Sequence, residues 1–380
     1  MRIVHISLDE KFIDCAIEQF SDLHGVESEF CVCAPGDKAK LVKLPNIRIF
    51  HTSEQIVNYA NGNHFDYAVL HSLCLSPRIL SKLQMPILWS SWGYDIYSDK
   101  KNAKRRPVVL DLFKPLTRKA LGPQQRTFKE KIKYALLKVG YKSSWQKHHD
   151  AFLKKISYLS VVLPEEFEMV KKNFNQLKFY PFRYVDKDNG ALNHNILSPT
   201  KSILLGNSLD PANNHIDILQ SLENLKVNCK VYIPISYPDV PGPYKKRLKE
   251  FAKRLQHVTP IFLEEFIPRE KYFAIINECS IAFFGHIRQQ AVGNILHMLC
   301  EGRKIFLYKD SIAYKHFCNA GAKIFSIEND LEPTIFDSVL DEDIQNKNRS
   351  VVYNEEYYET YIKQLQAFFD NLANSANEGG

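Results

Sequence analysis

The sequence predicts an α/β protein of two Rossmann-like domains facing a central cleft. Three observations lead there. Short runs rich in Val, Ile and Phe alternate with helical patterns along nearly the whole chain, the rhythm of parallel strands covered on both faces by crossover helices. That rhythm is interrupted once, by the polar stretch DKDNGALNHNILSPT at 186–200, which contains Gly and Pro and reads as a linker. The length, 380 residues, suits two domains, each able to bury its own core.

Taken in order, the first half offers strands at 2–8 (RIVHISL), 28–34, 46–50, 66–71 (DYAVLH), 86–92 (PILWSSW) and 156–163 (ISYLSVVL). Helical patterns lie near 12–23, 53–61, 76–83 and 165–174. After the linker come strands at 201–206 (KSILLG), 230–236 (KVYIPIS), 259–262, 280–286 (SIAFFGH), 304–308 (KIFLY) and 323–327, with helices near 213–224, 244–256, 269–278, 289–301 and 311–319. A last helix, about 355–373, follows an acidic loop and could cross back onto the first domain. The expected boundaries are 1–190 for the first domain, 191–354 for the second and 355–380 for the terminal helix. This is the architecture of GT-B glycosyltransferases, and also of some epimerases, phosphorylases and two-domain binding proteins. Open α/β sheets hold ligands at the carboxyl ends of their strands, so the loops directly after strands are the ones that carry chemistry.

Three such loops stand out. GNSLDPANNH, 206–215, links a strand to a helix; Gly206 permits a tight turn, and Asn207, Ser208 and Asn213 are short polar groups near a helix N-terminus, a natural anion site. A turn with an N-cap explains Asp210, Pro211 and Asn213 equally well. GHIRQQAVGNI, 285–295, precedes an amphipathic helix with apolar Val292, Ile295, Leu296 and Leu299. There Arg288 would meet a diphosphate together with free backbone N–H groups, and Gly293 is accounted for by a close approach. The competing reading is an exposed helix start. SSWGYDIY, 90–97, carries Asp95 at a strand's carboxyl end as a candidate general base, flanked by Trp92, Tyr94 and Tyr97, whose rings can stack on sugar faces; the alternative is a turn with its aromatics packed inward. His71 ends strand 66–71 and is expected at the cleft edge.

Net charge is +7, concentrated in one place: residues 100–149 hold 15 Lys or Arg and only Asp111 and Glu130 as acids. Large apolar side chains are interleaved with them, from Val108 to Leu116 and from Ile132 to Trp145. This pattern suits an element lying on an anionic membrane surface, with a solvated basic face over an ordinary core helix as the alternative. Arg105, Arg106, Arg118 and Lys119 are assigned to this acceptor and membrane side. No nucleic-acid-binding signature is present, so no nucleic acid is expected as partner. Eight scattered cysteines without a C-x-x-C pair read as reduced core thiols of a cytosolic protein. Asp186-Lys187-Asp188 and Asp341-Glu342-Asp343 mimic a D-x-D metal motif but lie in polar loops, and His148-His149-Asp150 has the wrong spacing for zinc, so no metal site is expected.

The segments FDYAVLH (65–71), SWGYDIY (91–97), YPFR (180–183), LLGNSLDPANNHI (204–216), KVYIPISYP (230–238) and FFGHIRQQAVGNILHMLCEGRKIFLY (283–308) carry a resemblance. In order and spacing the chain resembles the bacterial TDP-N-acetylfucosamine:lipid II N-acetylfucosaminyltransferases, which make enterobacterial common antigen. The resemblance implies a GT-B fold, with a nucleoside-diphosphate sugar on the second domain and a polyprenyl-diphosphate-linked acceptor on the first. It implies no metal or other cofactor: Arg288, Gln289, Gln290 and the loop Gly206–Ser208 would stabilise the leaving diphosphate. Asn213 and His215 would shape the same pocket. Tyr232, Pro234 and Tyr237, in the segment 232–238, are candidates for base or ribose contact, and His286, Gly293 and Asn294 complete the donor set. The stretch between SWGYDIY and strand 156–163 is longer than the family pattern, and the surplus falls in the basic block, which fits a membrane-docking element.

The expectation is therefore a peripheral enzyme on the cytoplasmic face of the inner membrane that transfers a deoxyamino sugar from TDP to a lipid-linked glycan of a surface polysaccharide, with Asp95 as base and His71 assisting. A nucleotide-sugar epimerase of the same fold and a non-catalytic membrane-surface binding protein are the alternatives.

Overall fold

The computed structural model describes all residues except 9, 11, 37, 38, 40, 41, 74, 101–105, 123–143, 186, 188–198, 241, 357 and 378–380. Arg105, the centre of the basic block and most of the expected linker lie outside the described residues.

Two parallel sheets organise the chain. The first contains β1 (Arg2–Ser7), β2 (Glu27–Cys33), β3 (Ile47–Phe50), β4 (Tyr67–His71), β5 (Ile87–Ser90), β8 (Ile156–Ser160) and β9 (Lys178–Phe179), in the order β3-β2-β1-β4-β5-β8-β9. The second contains β10 (Ser202–Leu205), β11 (Cys229–Pro234), β12 (Val258–Leu263), β13 (Ile281–Phe284), β14 (Lys304–Leu307) and β15 (Phe325–Ser326), in the order β12-β11-β10-β13-β14-β15. Central strands such as β5, β13 and β14 are buried at every position, which is why they read as near-continuous apolar runs rather than alternating ones, broken only by Ser90 at the end of β5 and Lys304 at the start of β14. Wholly buried Trp89, Phe283 and Phe306 each contribute about 2–3 kcal/mol of burial free energy.

The crossover helices are α1 (Ile13–Ser21), α2 (Ser53–Gly62), α3 (Pro77–Leu80) and α6 (Pro164–Lys171) on the first sheet, and α7 (His215–Asn224), α8 (Tyr244–Ala252), α9 (Arg269–Asn277), α10 (Val292–Cys300) and α11 (Ile312–Asn319) on the second. Their starts follow local rules. Thr52 and Gln55 form a capping box on α2, and the Ser311 hydroxyl accepts from Tyr314 N at the start of α11. None of the seven described cysteines forms a disulfide.

Two segments link the sheets. The short parallel pair β6 (Tyr97–Asp99) and β7 (Val108–Leu110) leads into α4 (Pro115–Leu121), which packs on the helices of the second sheet. The Asp217 carboxylate accepts from Leu116 N at 2.9 Å and Thr117 N at 2.7 Å, answering two of the open N–H groups at the start of α4. Arg247 Nη1 donates to the carbonyls of Lys119 and Ala120. This corrects the expectation for the described part of the basic block: Leu116, Ala120 and Leu121 join the second core rather than facing lipid. Arg118 donates to both oxygens of Asp99, at 3.1 and 2.9 Å, and also contacts Asp111, so its charge is consumed inside the fold. Arg106 is half-buried and Lys119 exposed. The helix α5 (Ser144–Leu153) then returns the chain to β8.

At the other end, α12 (Glu342–Glu356) packs on α10, and α13 (Tyr358–Asn377) lies on the first sheet. Tyr361, Leu365 and Phe369 enter the core with Ile3, Phe20 and Phe182, and the Tyr358 hydroxyl donates to Asp22 at 2.8 Å. No helix among the described residues is long and apolar enough to cross a membrane.

Candidate active site

The carboxyl ends of the strands set the site. In the second sheet Leu205 pairs with Phe283, so the loops leaving β10 and β13 start at the same level. In the first sheet His71 pairs with Ser90, which sets the loops after β4 and β5 side by side. Three loops converge: 91–96, 206–214 and 285–291.

Asn214 ties them together. It stands at the start of α7 in the left-handed region, φ +51, which Asn tolerates better than most residues. Its Nδ2 donates to Gly285 O at 2.7 Å and Leu112 O at 3.1 Å, and its Oδ1 accepts from Lys114 N at 2.8 Å. One buried amide thus holds both second-sheet loops and the linking segment. The loops approach closely: a Cβ on Gly285 would stand 2.2 Å from Asn213 O. Gly206 has φ +70, and a Cβ there would meet Asn213 Oδ1 at 2.8 Å and His215 Nε2 at 3.1 Å. The tight turn expected at Gly206 is therefore needed for its backbone and for its contacts alike.

Asn207, Ser208, Asn213, Asp210, Arg288 and Gln290 form one network. Arg288 Nη2 donates to Asp210 Oδ2 at 2.7 Å and Nη1 to Gln289 O at 2.9 Å. Gln290 Nε2 donates to Asn207 Oδ1 at 2.9 Å. Asn213 Nδ2 donates to Ser208 O at 3.0 Å. His215 shares a 3.0 Å hydrogen bond with the Tyr244 hydroxyl through Nδ1, and burial lowers its pKa to about 4. Several buried polar atoms here have no protein partner: Asn213 Oδ1, both ring nitrogens of His286, Gln289 Oε1 and Gln290 Oε1. Burial, and then Arg288 and His215, hold His286 neutral with its pKa down at about 3. Orphaned polar atoms are costly in a finished core and ordinary in a binding site. Beside them α10 begins after Ala291, itself left-handed, with Gly293 facing open space. A guanidinium, side-chain amides and the first N–H groups of a nine-residue helix make an anion-binding arrangement.

The nucleoside-side candidates separate. Tyr237, 44% exposed, lies at the edge of this network beside Asn207, and Leu209 N donates to its carbonyl at 2.6 Å. Asn294 Nδ2 donates to the Tyr272 hydroxyl at 3.0 Å, and Tyr272 lies near Tyr237. Pro234 is buried within β11. Tyr232 is not among the loops: its hydroxyl donates to Glu278 at 3.1 Å, so its expected base or ribose contact is corrected to a contact between β11 and the end of α9.

On the first-sheet side the catalytic expectations need correction. Asp95 is wholly buried. Its Oδ2 accepts from Trp89 Nε1 at 2.8 Å and Leu73 N at 3.0 Å, and its Oδ1 from Trp92 N at 3.0 Å. A carboxylate whose oxygens are engaged by three internal donors holds a loop and does not face a substrate hydroxyl. Burial raises its pKa against those hydrogen bonds. His71 lies inside the sheet, not at the cleft edge, bonded to His5 and Tyr184, and burial drives its pKa down to about 3. Tyr97 does not present a face for stacking; it is buried and donates to Glu166 Oε1 at 2.7 Å. Trp92 is half-buried and Tyr94 is 41% exposed.

Glu166 went unnoticed in the sequence. It sits in the first turn of α6, takes Leu163 N on Oε2 at 2.9 Å, and faces the charge of Arg288 across the two sheets. Burial, opposed by its hydrogen bonds, raises its pKa to about 7. Only the Pro-Glu-Glu start of a helix hinted at it. The two halves also meet where a Cβ on Gly93 would touch Gln289, at 2.3 Å from Oε1 and 3.2 Å from O, and where Glu165 bonds His316 at 3.0 Å.

Solved structures of other proteins share this fold. Over 98% of this chain the fold superposes on the whole of Anabaena HepE, solved in complex with UDP and glucose, with a TM-score of 0.60 and 12% identity. It superposes over 99% on the whole of sucrose-phosphate synthase from Thermosynechococcus elongatus, TM-score 0.59 and 10% identity. Trehalose 6-phosphate synthase from Burkholderia multivorans matches over 100% of this chain and 98% of that one, TM-score 0.61 and 9% identity. At such identity these likenesses establish the fold, which is GT-B. The profile of 4-alpha-L-fucosyltransferases, glycosyl transferase group 56, matches residues 163–368, more than half of the chain. The chain therefore belongs to the 4-alpha-L-fucosyltransferase family and is a glycosyltransferase.

Proposed function

We propose that the enzyme moves a deoxyamino hexose of the N-acetylfucosamine type from a TDP-sugar to a hydroxyl of a polyprenyl-diphosphate-linked glycan in bacterial surface-polysaccharide synthesis. The observation that carries the reading is the set of orphaned buried polar atoms around Arg288, Gln290 and the start of α10. The site offers a guanidinium, amides and helix N–H groups where a diphosphate needs them. HepE, of the same fold, is seen with UDP and glucose. The nucleobase side of the donor lies at Tyr237, Tyr272 and Asn294.

In the transfer step the acceptor oxygen bonds to the anomeric carbon, the bond from that carbon to the diphosphate breaks, the electron pair leaves with the diphosphate, and the acceptor's hydroxyl proton passes to the departing diphosphate or to water. Charge developing there would meet the Arg288 guanidinium, paired with Asp210 before the donor arrives, and the α10 N-terminus, and this reading calls for no divalent cation. Neither Asp95 nor His71 is placed to take the acceptor proton. The lipid acceptor and the basic segment around 123–143 bring the enzyme to the cytoplasmic face of the inner membrane, where anionic headgroups attract Lys and Arg.

The test is transfer from TDP-N-acetylfucosamine to a lipid-linked acceptor, with and without EDTA. Product formation unaffected by EDTA is expected. Turnover that consumes the TDP-sugar without any acceptor and returns its epimer would replace this reading with an epimerase.

A further inference from the structure

Two buried imidazoles, His5 and His71, have no part in the donor chemistry, yet they stand in a continuous line of rings. His5 Nε2 lies 3.2 Å from Ser28 Oγ, and His5 Nδ1 lies 3.0 Å from His71 Nε2. His71 Nδ1 lies 2.6 Å from the Tyr184 hydroxyl, and Trp92 Nε1 donates to that same hydroxyl at 2.8 Å. An indole can only donate. The arrangement in which every proton is used therefore runs one way. Trp92 donates to Tyr184, Tyr184 to His71 Nδ1, His71 Nε2–H to His5 Nδ1, and His5 Nε2–H to Ser28. Both imidazoles are neutral in this chain, burial holding each well below its usual range. The line fixes the Trp92 ring, whose backbone N–H is already held by Asp95.

At the outer end stands Phe12. Its backbone is left-handed, φ +63, at the entry to α1, where Asn, Ser or Gly is the ordinary choice. Its ring is 55% exposed. It meets Trp92 edge-to-face at 5.6 Å and Tyr184 at 5.3 Å. The neighbouring loop carries a second left-handed residue, Ser72, φ +66, whose hydroxyl bonds the Tyr94 hydroxyl at 2.8 Å. A bulky aromatic kept strained and half in water is the mark of a functional surface rather than of a stable core. Gly93, next to Trp92, touches Gln289 of the donor loop. Trp92 is thus one residue from the contact with the proposed donor loop.

We propose that Phe12 and Trp92 form a stacking subsite for the acceptor sugar whose hydroxyl is glycosylated, with Tyr184, His71 and His5 as positioning residues behind it. The inference rests on the glycosyltransfer proposed above. Ring faces take the C–H face of a hexose, while Tyr94, exposed in the same loop as Trp92, offers a hydroxyl for its polar edge. The mixture of faces and hydroxyls favours a sugar over a bare prenyl chain.

The test uses the full-length enzyme with the acceptor glycan on two carriers, the full polyprenyl diphosphate and a short alkyl diphosphate. Phe12→Gly removes the ring and relieves the left-handed strain. It is expected to raise the acceptor KM roughly tenfold on both carriers, leave the donor KM unchanged, and keep or raise Tm. Tyr184→Phe keeps the ring but takes the acceptor from Trp92 Nε1; a roughly threefold rise in acceptor KM with little change in kcat is expected. An unchanged acceptor KM in Phe12→Gly overturns the subsite. So does a rise seen only with the full-length carrier, which would assign the rings to the lipid chain. Absence of transfer by the unaltered enzyme on either carrier sinks the parent reading and the inference with it.

Discussion

Asp95 separates a structural from a catalytic role cleanly. Its carboxylate accepts from Trp89 Nε1, Leu73 N and Trp92 N, and Trp89 is wholly buried. Asp95→Asn keeps one oxygen. With that oxygen turned to Trp89 and Leu73, only the Trp92 N–H loses its acceptor, at a cost of about 1–3 kcal/mol. The amide also avoids burying a charge, which offsets part of that cost. The expected net loss is about 1–2 kcal/mol. Asp95→Ala orphans all three donors and releases the 91–96 loop, for a loss of about 3–5 kcal/mol. Urea unfolding of the two variants reads the difference directly, and transfer kinetics run alongside. The structure predicts a graded series: Asn retains transfer within about tenfold, while Ala loses much of both stability and activity. A general base behaves otherwise, because Asn and Ala both abolish proton transfer and cost about a hundredfold or more in rate. An Asn variant as stable as the parent but as inactive as Ala would refute the structural assignment.

Two further variants test other parts of the site. Asn214→Ala orphans Gly285 O, Leu112 O and Lys114 N at once and puts alanine at φ +51; a loss of about 3 kcal/mol or more in urea unfolding is expected. Burial raises the Glu166 carboxyl in the fold to about 7, against 4.5 for an ordinary glutamate, so the folded state holds a proton that the unfolded state has released across that interval. Its contribution to stability therefore falls as pH rises from about 4.5 to about 7 and stays low above. Glu166→Gln can accept from Leu163 N and donate to the Tyr97 oxygen, so its stability relative to the parent should improve between pH 5 and pH 8 in paired melts. A constant difference across that range would mean that Glu166 is ionised in the fold throughout.

The strands were legible because a parallel sheet covered on both faces favours near-continuous apolar runs, as IAFF of β13 and IFL of β14 after Lys304 show. Elements without that demand were not. β6, read from Tyr97-Ser98-Asp99, and α12, largely polar over Glu342–Glu356, carry no periodic apolar signal. That the loops 206–214 and 285–291 come together was legible because each follows a strand of the second sheet directly. Asn214 was passed over beside Asn213, since two adjacent amides look alike until one is seen to be left-handed. The segment Val108–Leu121 misled for a physical reason. Apolar residues interleaved with Lys and Arg describe equally a helix on lipid and a helix on another domain, and here Asp99, Asp111 and Asp217 decide for protein. Asp95 and His71 were read as exposed because they close strands; that the chain folds back over both, with Trp89 and Tyr184 as partners, is a fact of tertiary structure alone.

The central claim is that the loops after β10 and β13 hold a TDP-sugar without a metal. The most direct test is thermal shift of the unaltered enzyme and of Arg288→Ala against TDP, UDP, GDP and ADP, each with magnesium and with EDTA. A ligand at a hundred times its Kd stabilises by about 2.7 kcal/mol, well within reach of such a melt. The account predicts the largest shift with TDP, undiminished by EDTA, and an affinity about thirtyfold weaker in Arg288→Ala, as befits the loss of a charge-assisted hydrogen bond. No shift with any nucleotide, or a shift that vanishes with EDTA, would contradict it.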